Sequence, residues 1–294
     1  MLSGGNGVRS LALAGGVALY AINAYIATTI LPSVVADIGG LDYYAWNTTL
    51  FIVASIIGSV ISAKLLGALG PRGAYGAAAG LFGLGTLICA SAPSMPVLLA
   101  GRFVQGLGGG LLFALAYAMI RLVFAEALWP RAMAIVSGMW GVATLAGPAI
   151  GGTFAELGSW RAAFWAVLPA TMLFAGLALA ILPRKTPDTD EGSSLALPQL
   201  ALLVLAVFVV SVGSIDALPG WNLAGIAAAL ILVAVLIAVE GRAKSRLLPR
   251  GAFRLAAPLC MLFLTISLLA VTVATSEMFI PLFLQVLHAQ TPLV

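Results

Sequence analysis

Hydrophobic residues lie along this chain in long unbroken runs, each about the length of a helix that crosses a bilayer, separated by short breaks with Pro, Gly and Arg. The pattern predicts nine transmembrane helices. Because apolar residues do not alternate with polar ones, a β-barrel is excluded. The predicted spans cover approximately residues 10–32, 47–69, 73–93, 97–121, 131–155, 161–183, 199–215, 221–240 and 256–287.

Composition supports a polytopic membrane protein. Of the 294 residues, 62% are hydrophobic and 8% are charged, and the mean hydropathy is +1.13. A soluble domain carries about a quarter charged residues because its surface faces water. The composition therefore excludes a soluble enzyme, a nucleic-acid binder and a disordered linker.

The basic residues predict an orientation. With a cytoplasmic N-terminus, the outer breaks contain only Arg161, and Arg102 lies inside a span. The remaining basic residues all fall near inner breaks, as the positive-inside rule expects: Arg9, Lys64, Arg72, Arg121, Arg131, Arg184, Lys185, Arg242, Lys244, Arg246, Arg250 and Arg254. The formal net charge of +4 thus reflects topology and does not require a nucleic-acid partner.

Polar residues concentrate in one stretch, which predicts the domain organisation. Residues 1–183 are expected to form a six-helix N-terminal bundle, followed by a cytoplasmic linker at 184–198. Residues 199–254 then form a two-helix insert with a basic loop, and 255–294 supply the first helix of a C-terminal bundle.

Two spans carry sequence motifs. The fourth contains an Arg-x-x-Gln-Gly-x-Gly pattern and the fifth a Gly-Pro-x-x-Gly-Gly pattern. Their members are Arg102, Gln105, Gly106 and Gly108, then Gly147, Pro148, Gly151 and Gly152. Both motifs resemble those of the major facilitator superfamily, particularly its 14-helix drug:proton antiporter branch, and the similarity extends in order and spacing over nearly the whole chain.

The resemblance implies proton-coupled export of a drug-like or metabolite molecule through a bacterial-type inner membrane, by alternating access. It implies no cofactor. The chain reaches only the first helix of the second bundle, so we expect it to be the first two-thirds of a transporter that also needs further C-terminal helices.

Two positions depart from the pattern of this branch. In the loop between helices 2 and 3, Gly70 and Arg72 fit, whereas Gly67 stands where an acid is expected. In the first helix, Asn23 stands where the branch often has an acid. An amide carries no titratable proton, so proton coupling would need another group.

Arg102 is the sharpest candidate for a functional residue. A permanent charge in a span costs several kcal/mol unless it faces protein, water or an anion. The alternative is snorkelling towards the outer headgroups, because Arg102 lies about five residues into its helix. The adjacent Gln105 and the glycine pattern favour a role in the substrate or proton pathway.

Glu277 is the other ionisable group predicted inside a span. At 1.5 Å per residue it lies about 15 Å below the outer end, against about 13 Å for Asn23 and about 7–8 Å for Arg102. We therefore expect these three residues to border one polar cavity, with Glu277 as the protonatable group. The alternative is an acid at the helix end that faces water.

Small residues of the fourth and fifth spans form the predicted conformational motif: Gly106, Gly110, Gly147, Pro148, Gly151 and Gly152. A bend at Pro148 and close packing against the other half would suit alternating access. Close helix packing, which is common in membrane bundles, is part of the explanation for the same glycines. The rings of Tyr20, Tyr25, Tyr117 and Trp140 fit a cavity for an aromatic substrate, although such rings more often face lipid or the core.

Catalytic and metal-binding patterns are missing from the sequence. The single histidine, His288, follows the last span, and no zinc-binding His pair, nucleophile elbow or phosphate-binding loop occurs. Two functional alternatives remain open. One is a non-transporting fragment or an assembly or sensory partner, which a genuine stop codon after Val294 would favour, and the other is a facilitator without proton coupling.

Overall fold

The computed structural model describes residues 4–184, 196–213, 219–243, 246–249, 252 and 257–283. Within these ranges the chain is helical and contains no strand, which confirms the all-α fold class. The helices are α1 (Gly4–Ile38), α2 (Tyr44–Ala90), α3 (Met95–Val123), α4 (Trp129–Glu156), α5 (Trp160–Ile181), α6 (Leu197–Gly213), α7 (Pro219–Arg242) and α8 (Pro258–Leu282). Two short 3₁₀ helices, Leu41–Tyr43 and Glu126–Leu128, precede α2 and α4.

Six helical stretches of the described chain are long and apolar enough to cross a membrane, one of them the 50-residue stretch Leu41–Ala90. That stretch contains both the second and the third predicted spans. The sequence around 70–73 predicts a break, and the structure interrupts the helical backbone there, so that two helical segments meet at a kink at Gly70. Gly70 adopts φ 66° and ψ 174°, a conformation open to glycine, and Pro71 lacks the backbone donor of an ordinary helical residue.

The described chain divides into two compact units, one with α1 to α5 and one with α6 to α8. In the first unit α2 packs on α3 and α5, and α1 packs on α4 and α3. Its centre is filled by fully buried apolar side chains, among them Leu13, Phe82, Leu112, Leu115 and Phe164. Burial of such side chains, together with close helix contact, holds this bundle together.

Glycines of α3 allow its close approach to α2. A Cβ atom added at Gly106 would overlap the carbonyl oxygen of Phe51, and one added at Gly110 would overlap the backbone of Ser55. The Ser59 hydroxyl also donates a hydrogen bond to the Gly110 carbonyl oxygen at 3.1 Å. Backbone therefore lies directly on backbone along this pair of helices, as small-residue interfaces in membranes permit.

In the second unit α6 and α7 form a helical hairpin. A Cβ atom added at Gly213 would lie 3.1 Å from the Cα atom of Gly225, so the helices approach closely at these glycines. At the end of α7, the buried Glu240 carboxylate accepts a hydrogen bond from the backbone N–H of Leu248 at 2.7 Å. This bond ties Leu248 to the end of α7.

Arg161, at the start of α5, connects three chain segments at one end of the first unit. Its Nη1 donates to Asp37 on α1 at 2.7 Å, and its Nη2 donates to the Ala92 carbonyl after α2 at 2.8 Å. The guanidinium lies 4.1 Å from the centroid of the Trp160 ring, whose indole N–H donates to the same Asp37 carboxylate at 3.1 Å. Three chain segments are thus tied at this end.

We predict that Gly110→Ala destabilises the first unit because the new methyl group meets the backbone of Ser55. Overpacking of this kind costs about 1–3 kcal/mol. The measurement is the free energy of unfolding of the purified protein in mixed detergent micelles. Gly138→Ala is the matched control, since a Cβ atom there meets nothing within 4 Å and alanine favours a helix. Equal stability of the two variants would contradict the close contact.

Candidate functional site

Arg102 lies inside the first unit with 1% of its surface exposed. Its Nη1 donates a hydrogen bond to Gln105 Oε1 at 2.5 Å, and its guanidinium carbon lies 4.1 Å from the centroid of the Phe51 ring on α2. The alternative expectation, snorkelling to the outer surface, is not what the structure shows. The charge is instead enclosed by protein and stabilised by an amide and an aromatic face.

Gln105 connects this charge to two further helices. Its Nε2 donates to Asn23 Oδ1 on α1 at 3.0 Å and to Thr86 Oγ1 on α2 at 2.8 Å. The Thr86 hydroxyl in turn donates to the Phe82 carbonyl oxygen at 2.7 Å. Arg102, Gln105, Asn23 and Thr86, all at most 1% exposed, form what we call the buried polar cluster.

The cluster contains a full positive charge and no acid. Among the described residues, the only ion pair at 4 Å or less joins Arg161 and Asp37. Arg102 Nε and Asn23 Nδ2 are buried and make no hydrogen bond there. The Arg102 charge is therefore stabilised by neutral groups alone, which compensate only part of the free-energy cost of removing it from water.

The structure brings together three of the four residues predicted for the substrate and proton pathway: Arg102, Gln105 and Asn23. Glu277 lies on α8 in the second unit, and its side chain falls outside the described residues, as does all of His288. Sequence reasoning missed Thr86 and Phe51. Neither has a sequence signal, because a single threonine or phenylalanine is ordinary in an apolar span.

The glycines of the predicted conformational motif line helix contacts within the first unit. Gly106 and Gly110 face α2, whereas Gly147 and Gly151 face α1. A Cβ atom at Gly147 would overlap that of Tyr25, and one at Gly151 would lie 3.1 Å from the Ile26 carbonyl oxygen. Gly152 is also buried, and Pro148 lies within the continuous helix α4. The face of α4 that carries Gly147 and Gly151 thus contacts α1 of the same bundle.

The degenerate loop motif lies at the kink of α2. The backbone N–H of Arg72 donates to the Pro183 carbonyl oxygen at 3.2 Å, and its Nη2 donates to the Ala180 carbonyl oxygen at 3.2 Å. Arg72 therefore anchors the kink next to Gly70 to the end of α5. Gly67, at the position expected for an acid, is exposed, with nothing within 4 Å of an added Cβ atom.

Aromatic rings from α1 to α4 contact one another beside the buried polar cluster. Tyr20 stacks on Phe51 at 5.2 Å between centroids and contacts Phe113 at 5.4 Å and Trp140 at 5.9 Å. These rings and two tyrosines at their edge form what we call the aromatic cluster: Tyr20, Tyr25, Phe51, Phe113, Tyr117 and Trp140. Phe51 belongs to this cluster and also lies against Arg102.

Comparison with known proteins agrees with this arrangement of helices and motifs. The sequence model of the major facilitator superfamily matches residues 13–293. The chain belongs to the major facilitator superfamily.

Two solved xylose transporters share its fold. A D-xylose–proton symporter gives a TM-score of 0.57 at 15% identity, covering 80% of this chain and 67% of that one. An inward-open xylose transporter from E. coli gives a TM-score of 0.53, covering 79% of this chain and 68% of that one.

Two further relatives match this chain at higher sequence identity than the xylose transporters do. A probable multidrug-efflux transporter from Mycobacterium tuberculosis is 42% identical over 96% of this chain and 61% of its own length. A multidrug transporter from Bacillus subtilis is 28% identical over 80% of this chain and 44% of its own length. The chain thus spans about three-fifths of the first relative. Both relatives are named as transporters, and the superfamily to which the chain belongs is not an enzyme family.

We predict that Gln105→Leu destabilises the protein, because it removes the one side chain that bonds to Arg102, Asn23 and Thr86 together. Loss of a partner of a buried charge costs about 3 kcal/mol or more. Thr86→Val removes a single acceptor and should cost about 1 kcal/mol. Unfolding in mixed detergent micelles measures both. If Gln105→Leu proves no less stable than Thr86→Val, the bridging role of Gln105 is wrong.

Proposed function

We propose that this chain acts in a secondary active transporter of the 14-helix drug:proton antiporter branch, exporting small drug-like or metabolite molecules across the inner membrane. The observation that carries the proposal is the buried polar cluster, which places Arg102 within an apolar bundle with only neutral partners. The identity with a probable multidrug-efflux transporter supports the same substrate class. Alternating access of two bundles around a midplane site is the corresponding mechanism.

A structural role alone explains the cluster poorly. Apolar side chains of similar volume would fill the same space without the cost of a desolvated charge, and replacements of that kind often leave stability unchanged or higher. Ionisable residues inside membrane spans typically belong to substrate, ion or proton pathways. Arg102 and its three neutral neighbours fit such a pathway.

Proton coupling needs a group that binds and releases a proton. Asn23 cannot do so, and the guanidinium of Arg102 stays protonated. Two acids fall within the predicted spans, Glu240 and Glu277. Glu240 is the last residue of its span and its carboxylate already accepts a hydrogen bond from the Leu248 backbone N–H, which makes Glu277 the better candidate. We infer that its carboxylate is the protonatable group and that Arg102, Asn23 and Gln105 contribute the substrate-facing part of the pathway in the first unit.

For this role we predict that Glu277→Gln abolishes the acceleration of transport by a pH gradient while leaving flux down a substrate gradient. The protein from its complete gene is reconstituted in liposomes with fluorescein, rhodamine 123 or ethidium as the transported dye. Glu156→Gln is the matched control, because Glu156 is exposed at the end of α4. Flux of that variant should respond to the gradient as the unmodified protein does.

Each remaining result of this assay has a defined meaning. A Glu277→Gln variant that still responds to the gradient contradicts the role of Glu277. If the unmodified protein moves a dye but ignores the gradient, an uncoupled facilitator is the better function, which the amide at Asn23 favours. Absence of flux for every dye and every gradient contradicts drug transport by this protein.

The orientation follows from the distribution of basic residues, with the N-terminus in the cytoplasm. In this orientation the segment before α4 faces the cytoplasm and the segment after α4 faces outwards. Glu126 and Leu157, both exposed, lie in these two segments. The Arg161–Asp37 contact then lies at the outer end of the first unit.

We predict opposite labelling of cysteines placed at these two positions in a background with Cys89→Ala and Cys260→Ala. In intact cells a membrane-impermeant maleimide should label Leu157→Cys and not Glu126→Cys, because only the first faces outwards. Permeabilised cells provide the control, in which both should react. The reverse pattern in intact cells would invert the proposed topology.

A further inference from the structure

The aromatic cluster offers a surface of rings from four helices. Tyr20 and Tyr25 come from α1, Phe51 from α2, Phe113 and Tyr117 from α3, and Trp140 from α4. Phe51 is 2% exposed, and the other five rings are half-buried. The cluster is therefore anchored in the core at Phe51 and reaches the surface of the first unit around Trp140.

The rings are arranged edge to face around Trp140. Its centroid lies 5.9 Å from that of Tyr20, with an interplanar angle of 75°, and 6.3 Å from that of Phe113, with an angle of 79°. Tyr25 contacts the same indole at 6.5 Å and 82°. Edge-to-face pairs leave ring faces available to a further flat ring, since aromatic groups also associate by offset stacking.

Hydroxyl groups lie at the edge of this surface. The Thr144 hydroxyl donates to the Trp140 carbonyl oxygen at 2.8 Å and lies 3.3 Å from Tyr25 Oη, and Tyr117 Oη lies 3.3 Å from Ser137 Oγ. Thr144 and Ser137 are exposed residues of α4. The edge thus supplies neutral donors and acceptors, the kind of polar group that orients a ligand in a mainly apolar site.

The charge next to this surface is positive. The guanidinium of Arg102 lies against Phe51, and Phe51 stacks on Tyr20. Acidic residues of the described first unit lie near helix ends: Asp37, Asp42, Glu126 and Glu156. Exposed aromatic faces attract cations, but here a fixed cation already faces Phe51, and a second one nearby would be repelled.

We propose that the aromatic cluster binds planar aromatic molecules that carry no positive charge, with anionic molecules preferred over cationic ones of the same shape. This inference rests on the proposed transport function and narrows its substrate class. Stacking on the faces around Trp140 supplies affinity, and the enclosed charge of Arg102 selects the sign. For two unit charges about 10 Å apart near a protein surface, the repulsion corresponds to about tenfold in affinity or more.

The test compares two dyes that share a xanthene ring system, the anionic fluorescein and the cationic rhodamine 123. Binding to the purified protein from its complete gene is measured by fluorescence anisotropy in a neutral detergent. We expect fluorescein to bind at least about tenfold more tightly than rhodamine 123. Equal affinity, or tighter binding of rhodamine 123, overturns the inference.

Tryptophan variants locate the binding surface. Trp140→Leu should weaken fluorescein binding by about tenfold, because it removes the ring that Tyr20, Tyr25 and Phe113 contact edge to face. Trp165→Leu is the matched control, since Trp165 is 51% exposed on α5 and lies outside the aromatic cluster. If the two variants lose the same affinity, the dye binds elsewhere and the inference fails.

Arginine variants test the selectivity. Arg102→Lys keeps the charge and should keep the preference for fluorescein, whereas Arg102→Gln should bring the two affinities within about twofold of each other. Size-exclusion profiles confirm that each variant remains folded. Should Arg102→Gln not fold, Arg102→Lys together with the two tryptophan variants still decides the proposal. An unchanged preference in folded Arg102→Gln contradicts a selective role of this charge.

The two proposals fail in distinguishable ways. Transport of both dyes at equal rates leaves the transporter function standing and removes the charge preference. Selective binding of fluorescein without flux of any dye supports the aromatic site and contradicts transport.

Discussion

The contact between α2 and α3 determines the geometry of the first unit. The glycines of α3 meet α2 with no side chain between the backbones, at Phe51 for Gly106 and at Ser55 for Gly110. Gly85 of α2 likewise lies against the backbone of Gln105. Any larger residue would separate the helices, and the hydrogen bond from Gln105 to Thr86 and the contact of Arg102 with Phe51 would both be lost. The glycines therefore place the chemical groups as well as pack the helices.

Given that geometry, the charge of Arg102 is the dominant electrostatic feature of the site. It is enclosed in the first unit and balanced by an amide, a ring face and no acid among the described residues. A site with a fixed cation and neutral surroundings differs from one with a carboxylate in the first helix, because it repels positive ligands and holds no proton of its own. Asn23, buried and bonded to Gln105, is the residue responsible for this difference. In our proposals, proton coupling and the preferred charge of the substrate are therefore separate properties: the first depends on Glu277 and the second on Arg102.

Sequence reasoning selected Arg102, Gln105 and Asn23, which the structure brings together, but not the other residues around them. Arg102 and Gln105 are conspicuous because polar groups are costly in an apolar span. Thr86 and Phe51 are not, and they join the site only because distant segments meet, as the 82-residue separation of Gln105 and Asn23 shows. Tyr20 and Trp140 are ambiguous in sequence, since isolated rings in apolar runs are equally expected to face lipid or the core. Their mutual contact appears only once α1 and α4 pack together.

The sequence by itself determined that the chain is a bundle of membrane helices, because apolar runs of span length have no stable alternative in a bilayer. It also identified the polar groups, Arg102 and Gln105, whose presence inside an apolar span costs free energy unless other groups stabilise them. The tertiary structure decided which neighbours those groups have: Gln105 as the bridge, Phe51 as the ring beneath Arg102, and α1 as the partner of Gly147. It also decided that the two spans on either side of the predicted break meet directly, at a kink formed by Gly70 and Pro71. Local hydropathy sets where helices form, whereas the contacts between helices depend on side-chain shape at positions far apart in the chain, which no local pattern records.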